Sequence, residues 1–186
     1  MLANDDDWDV ITKQMQTDKK TAEHYLLCYE AEMKQYAQEL AESMHGHQSD
    51  GNAGGGRSNM PGNPVEAQVF AAMRFNRRYE PYLWLRSVEI VMKKLSKKKI
   101  VFLKLRREAY HKHLCYKGKE AWVVYVQQRY MDEHPAKGQR AAYPSERTAS
   151  SWWSGIIKFV IDVYHILQAR KNFFSGAAEL LRNSVV

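Results

Sequence analysis

An all-α fold is predicted for this chain of 186 residues. Apolar residues recur at intervals of three and four along most of it, which is the period of a helix that packs on one face. Glycine and proline cluster between these segments, where they end helices. Only residues 123–126 could pass for a strand. The sequence therefore predicts a helical N-terminal segment, a flexible Gly-rich linker and a helical domain that contains a helix-turn-helix.

Composition divides the chain into four predicted segments. Residues 1–44 form an acidic amphipathic helical segment, and residues 45–64 form the linker. Six of the ten glycines and two of the five prolines fall in the linker, so it has too little apolar area to offset its chain entropy. Residues 65–174 form a basic helical domain, and residues 175–186 form a tail.

One long helix is predicted over residues 8–44, because no glycine or proline interrupts it before Gly46. Its apolar stripe faces a core or a partner helix, and consists of Tyr25, Leu26, Tyr29, Met33, Tyr36, Ala37, Leu40 and Met44.

The basic domain is predicted to contain five helices. Pro64 suits the first turn of one of them, since its missing N–H costs nothing there, and Ser145 suits the cap of the last. We expect that last helix to run for about 25 residues, until Ser175-Gly176. The other predicted ranges are Val65 to Arg78, Pro81 to Leu95, Ile100 to His113 and Glu120 to Glu133.

The net charge of +7 conceals an uneven distribution. Residues 1–50 hold 4 Lys/Arg and 11 Asp/Glu, a net of −7, whereas residues 74–119 hold 15 Lys/Arg and 3 Asp/Glu, a net of +12. Such a basic block indicates a polyanionic partner. Nucleic acid is the commonest such partner, and an anionic membrane surface comes second. The alternative is a solvent-exposed basic surface that serves solubility and binds no partner.

Several classes of protein are not indicated by the sequence. Nucleophile elbows, zinc-protease motifs and nucleotide-binding loops are missing, so no enzyme and no cofactor are predicted. The longest apolar run, Ile156 to Leu167, is shorter than the roughly 20 residues of a membrane span, so no membrane contact is expected. An acidic start and only two cysteines favour the reducing cytoplasm.

Two clusters of residues could bind a metal, but neither is predicted to do so. Asp5, Asp6, Asp7 and Asp9 lack loop-forming glycines and are interpreted as a solvated tail. His111, His113 and Cys115 would point the same way on a strand, as zinc requires. We interpret them instead as a helix end, where histidines satisfy carbonyls or meet phosphates.

The strongest predicted constellation is a DNA-binding one. A helix that enters the major groove needs small polar or cationic side chains on its first turns and an apolar back face. The segment 145–156 meets both needs, with Trp152 and Ile156 expected to pack on the helix of Trp122 and Val126. The predicted base contacts are Arg147, Thr148, Ser150 and Ser151.

Basic residues elsewhere in the domain are predicted to contact phosphates. Such contacts set affinity and salt dependence rather than sequence preference. The predicted contacts are Lys97, Lys98, Lys99, Arg106, Arg107, Lys112 and Lys158. An ordinary capped core helix with a solvated start is the alternative interpretation of the segment 145–156.

Two stretches resemble the ArpU/RinA-type late transcriptional regulators of Gram-positive bacteriophages. Residues 88–107 are similar to the family's sigma-region-4-like unit, and residues 145–153 to its recognition helix, within a resemblance over about 85–168. The span from Arg107 to Ser145 is longer than the compact family unit. The resemblance implies promoter-proximal double-stranded DNA binding without catalysis in the host-cell cytoplasm, with RNA polymerase as a candidate partner.

Two other functions are compatible with the sequence. A small terminase-like or replication accessory protein would also bind DNA and would oligomerise, with residues 18–44 as the candidate interface. A helical adaptor would use its basic face to meet an acidic protein. The acidic segment could itself be that partner, folded against residues 74–119 of the same chain or of a neighbour.

Overall fold

The computed structural model describes residues 5–45, 64–79, 81–114, 121–133 and 144–183. These residues form seven α-helices and no strand, which confirms the all-α prediction for the described part of the chain. The helices are α1 (Asp5–Leu27), α2 (Tyr29–His45), α3 (Pro64–Arg78), α4 (Tyr82–Lys94), α5 (Lys97–His111), α6 (Ala121–Glu133) and α7 (Glu146–Asn183).

The core lies between α7 and the helices that pack on it. α7 packs on α4 and α1, while α5 packs mainly on α6 and also contacts α1 and α7. Trp84 of α4 stacks on Tyr164 of α7 with ring centroids 3.7 Å apart. Among the fully buried side chains are Leu26, Val88, Val91, Phe102, Leu105, Val126, Ile156 and Val160.

The N-terminal segment shares this core with the basic domain. Ala22, Leu26 and Leu27 of α1 are buried in the same cluster as residues of α4, α5, α6 and α7. The segment 1–44 therefore does not form a separate unit from the basic domain, although composition alone predicts a boundary between them.

The single helix predicted over residues 8–44 is wrong, because the structure divides it at Cys28. Backbone bonds continue through the break, from Cys28 N to the His24 carbonyl at 2.8 Å and from Glu32 N to the Cys28 carbonyl at 3.0 Å. Arg107 Nε donates to the Leu26 carbonyl at 2.7 Å. A side chain that enters the backbone ladder bends a helix, so a residue 81 positions away accounts for the break.

The tyrosine stripe of α2 is covered by the chain itself. Tyr36 lies within 6 Å, between ring centroids, of Phe75, Tyr79 and Tyr82, and its hydroxyl donates to Asn76 Oδ1 at 2.7 Å. This aromatic cluster fixes α2 against α3 and the start of α4. The stripe predicted as an oligomer interface is thus occupied within one chain.

The helices that follow agree with the prediction within one residue at each end, except that α5 spans Lys97–His111 rather than Ile100 to His113 and that α7 is longer than expected. α3 begins at Pro64 as expected, and residues 121–133 are helical, which rejects the strand alternative for residues 123–126. α7 continues for 38 residues through Ser175 and Gly176, where an interruption was expected. One glycine inside a helix costs only about 1 kcal/mol relative to alanine, which is too little to end a helix this long.

The predicted linker lies almost wholly outside the described residues, and so does most of the loop that precedes the predicted recognition helix. Of residues 45–64, only His45 and Pro64 are described, at the end of α2 and the start of α3. Twelve residues separate the end of α6 from the start of α7, and residues 134–143 lie outside the description. That spacing exceeds the 3–4-residue turn of a helix-turn-helix.

Gly155 gives a stability prediction, because an added Cβ there would meet nothing within 4 Å. Gly155→Ala should raise the free energy of unfolding by about 0.5–1 kcal/mol, since alanine loses less chain entropy in a helix. Urea denaturation followed by circular dichroism measures the change. The control is Lys34→Ala at an exposed position of α2, which should shift it by less than about 0.3 kcal/mol. A lower stability for Gly155→Ala would contradict the expectation.

Candidate nucleic-acid interface

Four lysines surround the turn between α4 and α5, and we call them the lysine corner: Lys94, Lys97, Lys98 and Lys99. Leu95 and Ser96 have extended backbones there, with ψ of 144° and 154°, so α4 ends and α5 starts in a new direction. Lys94, Lys97 and Lys98 are exposed and Lys99 is half-buried. Among the described residues none of the four has a carboxylate within ion-pair distance.

The neighbouring Lys93 differs from the four corner lysines because it has a carboxylate partner. Its Nζ lies 2.6 Å from Glu89 Oε1, and Arg86 pairs with the other oxygen of the same carboxylate. Hydrogen bonds from Lys93 and Arg86 lower the pKa of Glu89 below its usual value. Glu89 therefore pairs with two cations of α4 just before the corner, whereas no described carboxylate pairs with the four lysines of the corner itself.

The start of α5 places its lysines against the helix dipole. The N-terminal end of a helix carries a partial positive charge, so cations there are unfavourable and anions are favourable. The first turn of α5 holds no acidic residue, and the Ser96 side chain makes no capping bond. The charges of the lysines, the unbonded backbone N–H groups of the first turn of α5 and the dipole of that helix thus all favour binding of an anion at the corner.

The tip of α7 is held by a cap and by α6. Thr148 N donates to Ser145 Oγ at 3.2 Å, which confirms Ser145 as the cap, and the two hydroxyl oxygens lie 2.8 Å apart. Gln127 Nε2 of α6 donates to the Pro144 carbonyl at 3.0 Å. The Thr148 hydroxyl is consequently engaged in the cap rather than directed at a ligand. Arg147, Ser150 and Ser151 are exposed.

Exposed polar residues form one face of α7, which we call the polar face: Arg147, Ser151, Ser154 and Lys158. They recur at intervals of four, three and four, so they lie above one another. The sequence prediction missed Ser154, which the same spacing could have identified. Ser150 lies about 100° around the helix from Ser151, to one side of this face.

Packing brings the lysine corner and the α7 tip to the same end of the bundle. α4 leads from Trp84, which stacks on Tyr164, to the corner, and α5 leads from the corner to Phe102, whose ring lies 5.6 Å from that of Trp152. α4 and α7 therefore run in opposite directions. Arg147 and Lys97 each lie five residues, about 8 Å along a helix, before this Phe102–Trp152 contact.

The polar face nevertheless does not continue the lysine corner as one surface. Arg147 is five residues from Trp152, which corresponds to about 140° around the helix, and Trp152 faces α5. A ligand that contacts both groups must cross the end of the bundle. The lysine corner and the polar face therefore lie at the same end of the bundle but point in different directions.

Arg106 is a correction to the predicted phosphate contacts. Only 5% of it is exposed, and its guanidinium carbon lies 4.5 Å and 4.9 Å from the ring centroids of Trp122 and Trp153. Its Nη2 is 3.6 Å from Glu23 Oε1. The Arg106 side chain is therefore part of the core, because stacking on both rings holds it between α5, α6 and α7.

Arg107 is likewise occupied inside the fold. Besides its bond to the Leu26 carbonyl, its Nη2 contacts Met92 Sδ at 3.4 Å and its guanidinium lies 5.3 Å from the centre of the Tyr29 ring. Burial lowers the pKa of this guanidinium from its usual value. Arg107 joins the α1–α2 break to α5, and these contacts engage its guanidinium within the fold, although the side chain is only half-buried and borders an open cavity.

The remaining predicted phosphate contacts lie on the surface. Lys112 is exposed, and its Nζ is 2.9 Å from the Tyr125 hydroxyl and 4.8 Å from the ring centre. Lys158 is exposed on the polar face, eleven residues along α7 from Arg147. The surface set therefore consists of the lysine corner, Lys112 and Lys158.

The histidines near the end of α5 are at a helix terminus, as predicted. α5 ends at His111, and His113 has a φ of 55°, the left-handed conformation common after a helix. Cys115 lies outside the described residues. The part of the chain that is described contains no cluster of three His, Cys, Asp or Glu side chains placed to hold a metal ion. Of the described helices, none combines the length and the apolar character needed to cross a bilayer.

One open cavity of about 310 Å³ lies beside the lysine corner. Its walls are mostly apolar, and its charged residues carry both signs, with Glu30 and Glu108 close to Lys104, Arg107 and His111. Such mixed charge gives no preference for an anion. The lysine corner itself is thus the stronger candidate site.

Comparisons with known proteins give no match: no family model, no curated protein and no solved structure is similar to this chain. The candidate interface is therefore argued from the geometry of the chain alone.

The buried position of Arg106 predicts a structural defect on its removal. Arg106→Ala should lower the free energy of unfolding by on the order of 3 kcal/mol, because two cation–π contacts are lost and a cavity is left. Chemical denaturation followed by tryptophan fluorescence measures it. Lys98→Ala, at an exposed position, is the control and should change stability by less than about 0.5 kcal/mol. An Arg106→Ala protein as stable as the wild type would show that the stacking of Arg106 between Trp122 and Trp153 contributes nothing to stability.

Proposed function

We propose that this protein binds double-stranded DNA at the end of the bundle formed by the lysine corner and the tip of α7. The observation that carries the proposal is that three lysines occupy the first turn of α5, where the helix dipole makes them unfavourable and no described carboxylate pairs with them. A polyanion would relieve this repulsion. A fold that keeps an unfavourable charge cluster on its surface is typical of a binding site.

The lysine corner and the polar face would have different roles in binding a duplex. The lysine corner would bind phosphates through charge, which supplies affinity without sequence preference. The polar face would supply the groups that can reach base edges, with Arg147 suited to a guanine and Ser151 and Ser154 to bases or phosphates. Because the two groups point in different directions, this division requires the duplex to lie across the end of the bundle.

A regulatory role at a promoter is the form of this function that the sequence resemblance supports. The tip of α7 corresponds to the segment 145–153 that is similar to a recognition helix. The proposal does not require the tight turn of a helix-turn-helix, since Ser145, Pro144 and α6 hold the tip by hydrogen bonds. RNA polymerase would then be a partner at the promoter.

The lysine corner predicts a salt-dependent defect. Replacing Lys97, Lys98 and Lys99 together by alanine should weaken binding to all duplex sequences alike and reduce the slope of log K against log salt by about 1 per lysine. Thermal stability should not fall, because the lysines oppose the dipole of α5. Fluorescence anisotropy over a salt series measures the slope.

The matched control removes three exposed lysines from α1, in the variant Lys13→Ala, Lys19→Ala, Lys20→Ala. Its salt slope should equal that of the wild type. Equal slopes for both triple variants, or no duplex binding by the wild type at low salt, would contradict the proposed function. Binding only to an acidic protein would favour the adaptor alternative.

Arg147 is predicted to affect which DNA sequence the protein prefers. Arg147→Ala should cost about 1–3 kcal/mol at one base position and relax the preference there. Arg147→Lys keeps the charge and loses the bidentate geometry, so it should relax the same position. Selection from a randomised duplex pool reads the preference. Lys158→Ala is the control and should weaken all sequences alike; the same uniform loss for Arg147→Ala would remove Arg147 from the base contacts.

A further inference from the structure

The first half of α1 exposes an apolar stripe that continues a buried one. Trp8, Ile11 and Met15 are 60%, 46% and 67% exposed, and every side chain from Trp8 to Thr17 faces solvent. Their spacing of three and four extends to the buried Asp18 and Ala22, so these residues lie on one face of α1. We call Trp8, Ile11 and Met15 the α1 seam.

The second half of α7 carries a matching stripe away from the core. Phe159, Ile166 and Phe173 are seven residues apart and are 39%, 54% and 73% exposed. A seven-residue apolar repeat is typical of helices that associate side by side. We call these three residues the α7 seam.

Both seams project from the same end of the bundle, opposite the lysine corner. Trp153 Nε1 donates to Glu23 Oε1 at 3.3 Å, and His165 Nε2 lies 3.1 Å from Asp18 Oδ2. α1 and α7 are therefore antiparallel. Beyond the Asp18–His165 contact α1 continues with Trp8, Ile11 and Met15 exposed and α7 with Ile166 and Phe173 exposed, whereas Phe159 lies six residues before this contact, beside the core. A helix gains most of its stability from packing, so these segments need a covering surface.

We propose that a second copy of this chain covers the α1 and α7 seams, forming a two-fold dimer that packs as a four-helix bundle. This goes beyond the proposed DNA binding and uses the other end of the molecule. It also differs from the interface predicted over residues 18–44, of which Ala22, Leu26 and Leu27 are buried in the core of the same chain.

Charge around the seams favours a copy of the same chain. α1 carries the exposed Asp9 in a sequence that begins Asp5-Asp6-Asp7, and α7 carries the exposed Arg170 close to Lys171. Although α1 also carries the exposed Lys13, Lys19 and Lys20 further along, its acidic start and the Arg170 stretch of α7 can face each other between two copies, which is the self-complementarity that a two-fold interface requires. A membrane surface or a polyanion would be repelled by the acidic half.

The available apolar area is close to that of a stable dimer. Exposed Trp, Phe, Ile and Met side chains supply on the order of 100 Å² each, so the two seams offer roughly 600 Å² per copy. A standard interface buries about 800 Å² per partner. Polar residues beside the seams would supply the rest.

Sedimentation velocity over a protein concentration series tests the dimer. The wild type should be dimeric at micromolar concentration, and Ile11→Asp and Ile166→Asp should each raise the dissociation constant at least tenfold. The matched control is Ile100→Asp, because Ile100 on α5 is also 46% exposed, and it should leave the constant unchanged. Circular dichroism checks that each variant is folded. A monomeric wild type, or a folded Ile11→Asp and Ile166→Asp double variant that dimerises normally, would overturn the proposal.

A charge exchange tests whether the partner is a second copy paired through these helices. Asp9→Arg and Arg170→Asp should each weaken self-association, because each places like charges across the interface. Differently tagged copies of the two variants, mixed together, should associate more tightly than either variant alone, since opposite charges then face each other. Mixed copies that bind no better than the separate variants would overturn the charge complementarity on which the choice of a second copy rests. None of these residues belongs to the lysine corner, and self-association is measured without DNA, so the outcome does not depend on the proposed DNA binding.

Discussion

The guanidinium of Arg106, held between the rings of Trp122 and Trp153, is the contact on which the arrangement of the bundle depends. It joins α5 to α6 and α7 within one side chain, and its ion pair with Glu23 adds α1. A buried charge is costly unless it is paired, and stacking on two aromatic faces recovers part of that cost. Because Trp153 lies six residues, about 9 Å along a helix, from Arg147, this contact also fixes the position of the α7 tip relative to α5.

The basic block thus serves two purposes that net charge cannot separate. Arg106 is buried and the half-buried Arg107 is bonded to Leu26 and Met92, whereas Lys97 and Lys98 are exposed and the half-buried Lys99 has no described carboxylate partner. A guanidinium is planar and weakly hydrated, so it stacks on rings and donates to carbonyls in several directions, while an ammonium is strongly hydrated and remains in water. Residue chemistry explains the division, but the partners of each arginine come from helices distant in sequence.

Local signals made most of the helices predictable, and distant contacts account for the errors. Pro64 and Ser145 act within one turn of their own positions, so both helix starts could be foreseen. The break at Cys28 could not, because Arg107 makes it by bonding to the carbonyl of Leu26, 81 residues away. Of the candidate site, the lysines followed from composition, since solvated charges need no partner. The engagement of Thr148 with Ser145 became clear only from the structure, whereas the place of Ser154 on the polar face could have been predicted from its spacing along the helix.

The length of α7 connects the two proposals. At 38 residues it extends for about 57 Å, with the polar face near its start and the α7 seam toward its end. A two-fold dimer joined at the seams would hold two lysine corners at a fixed separation on one assembly. A single corner offers few phosphate contacts, and their strength falls steeply with salt. Two corners on one duplex would act at high effective concentration, so modest contacts would suffice for stable binding. Dimerisation through the seams would therefore compensate for the small number of phosphate contacts that a single lysine corner can make.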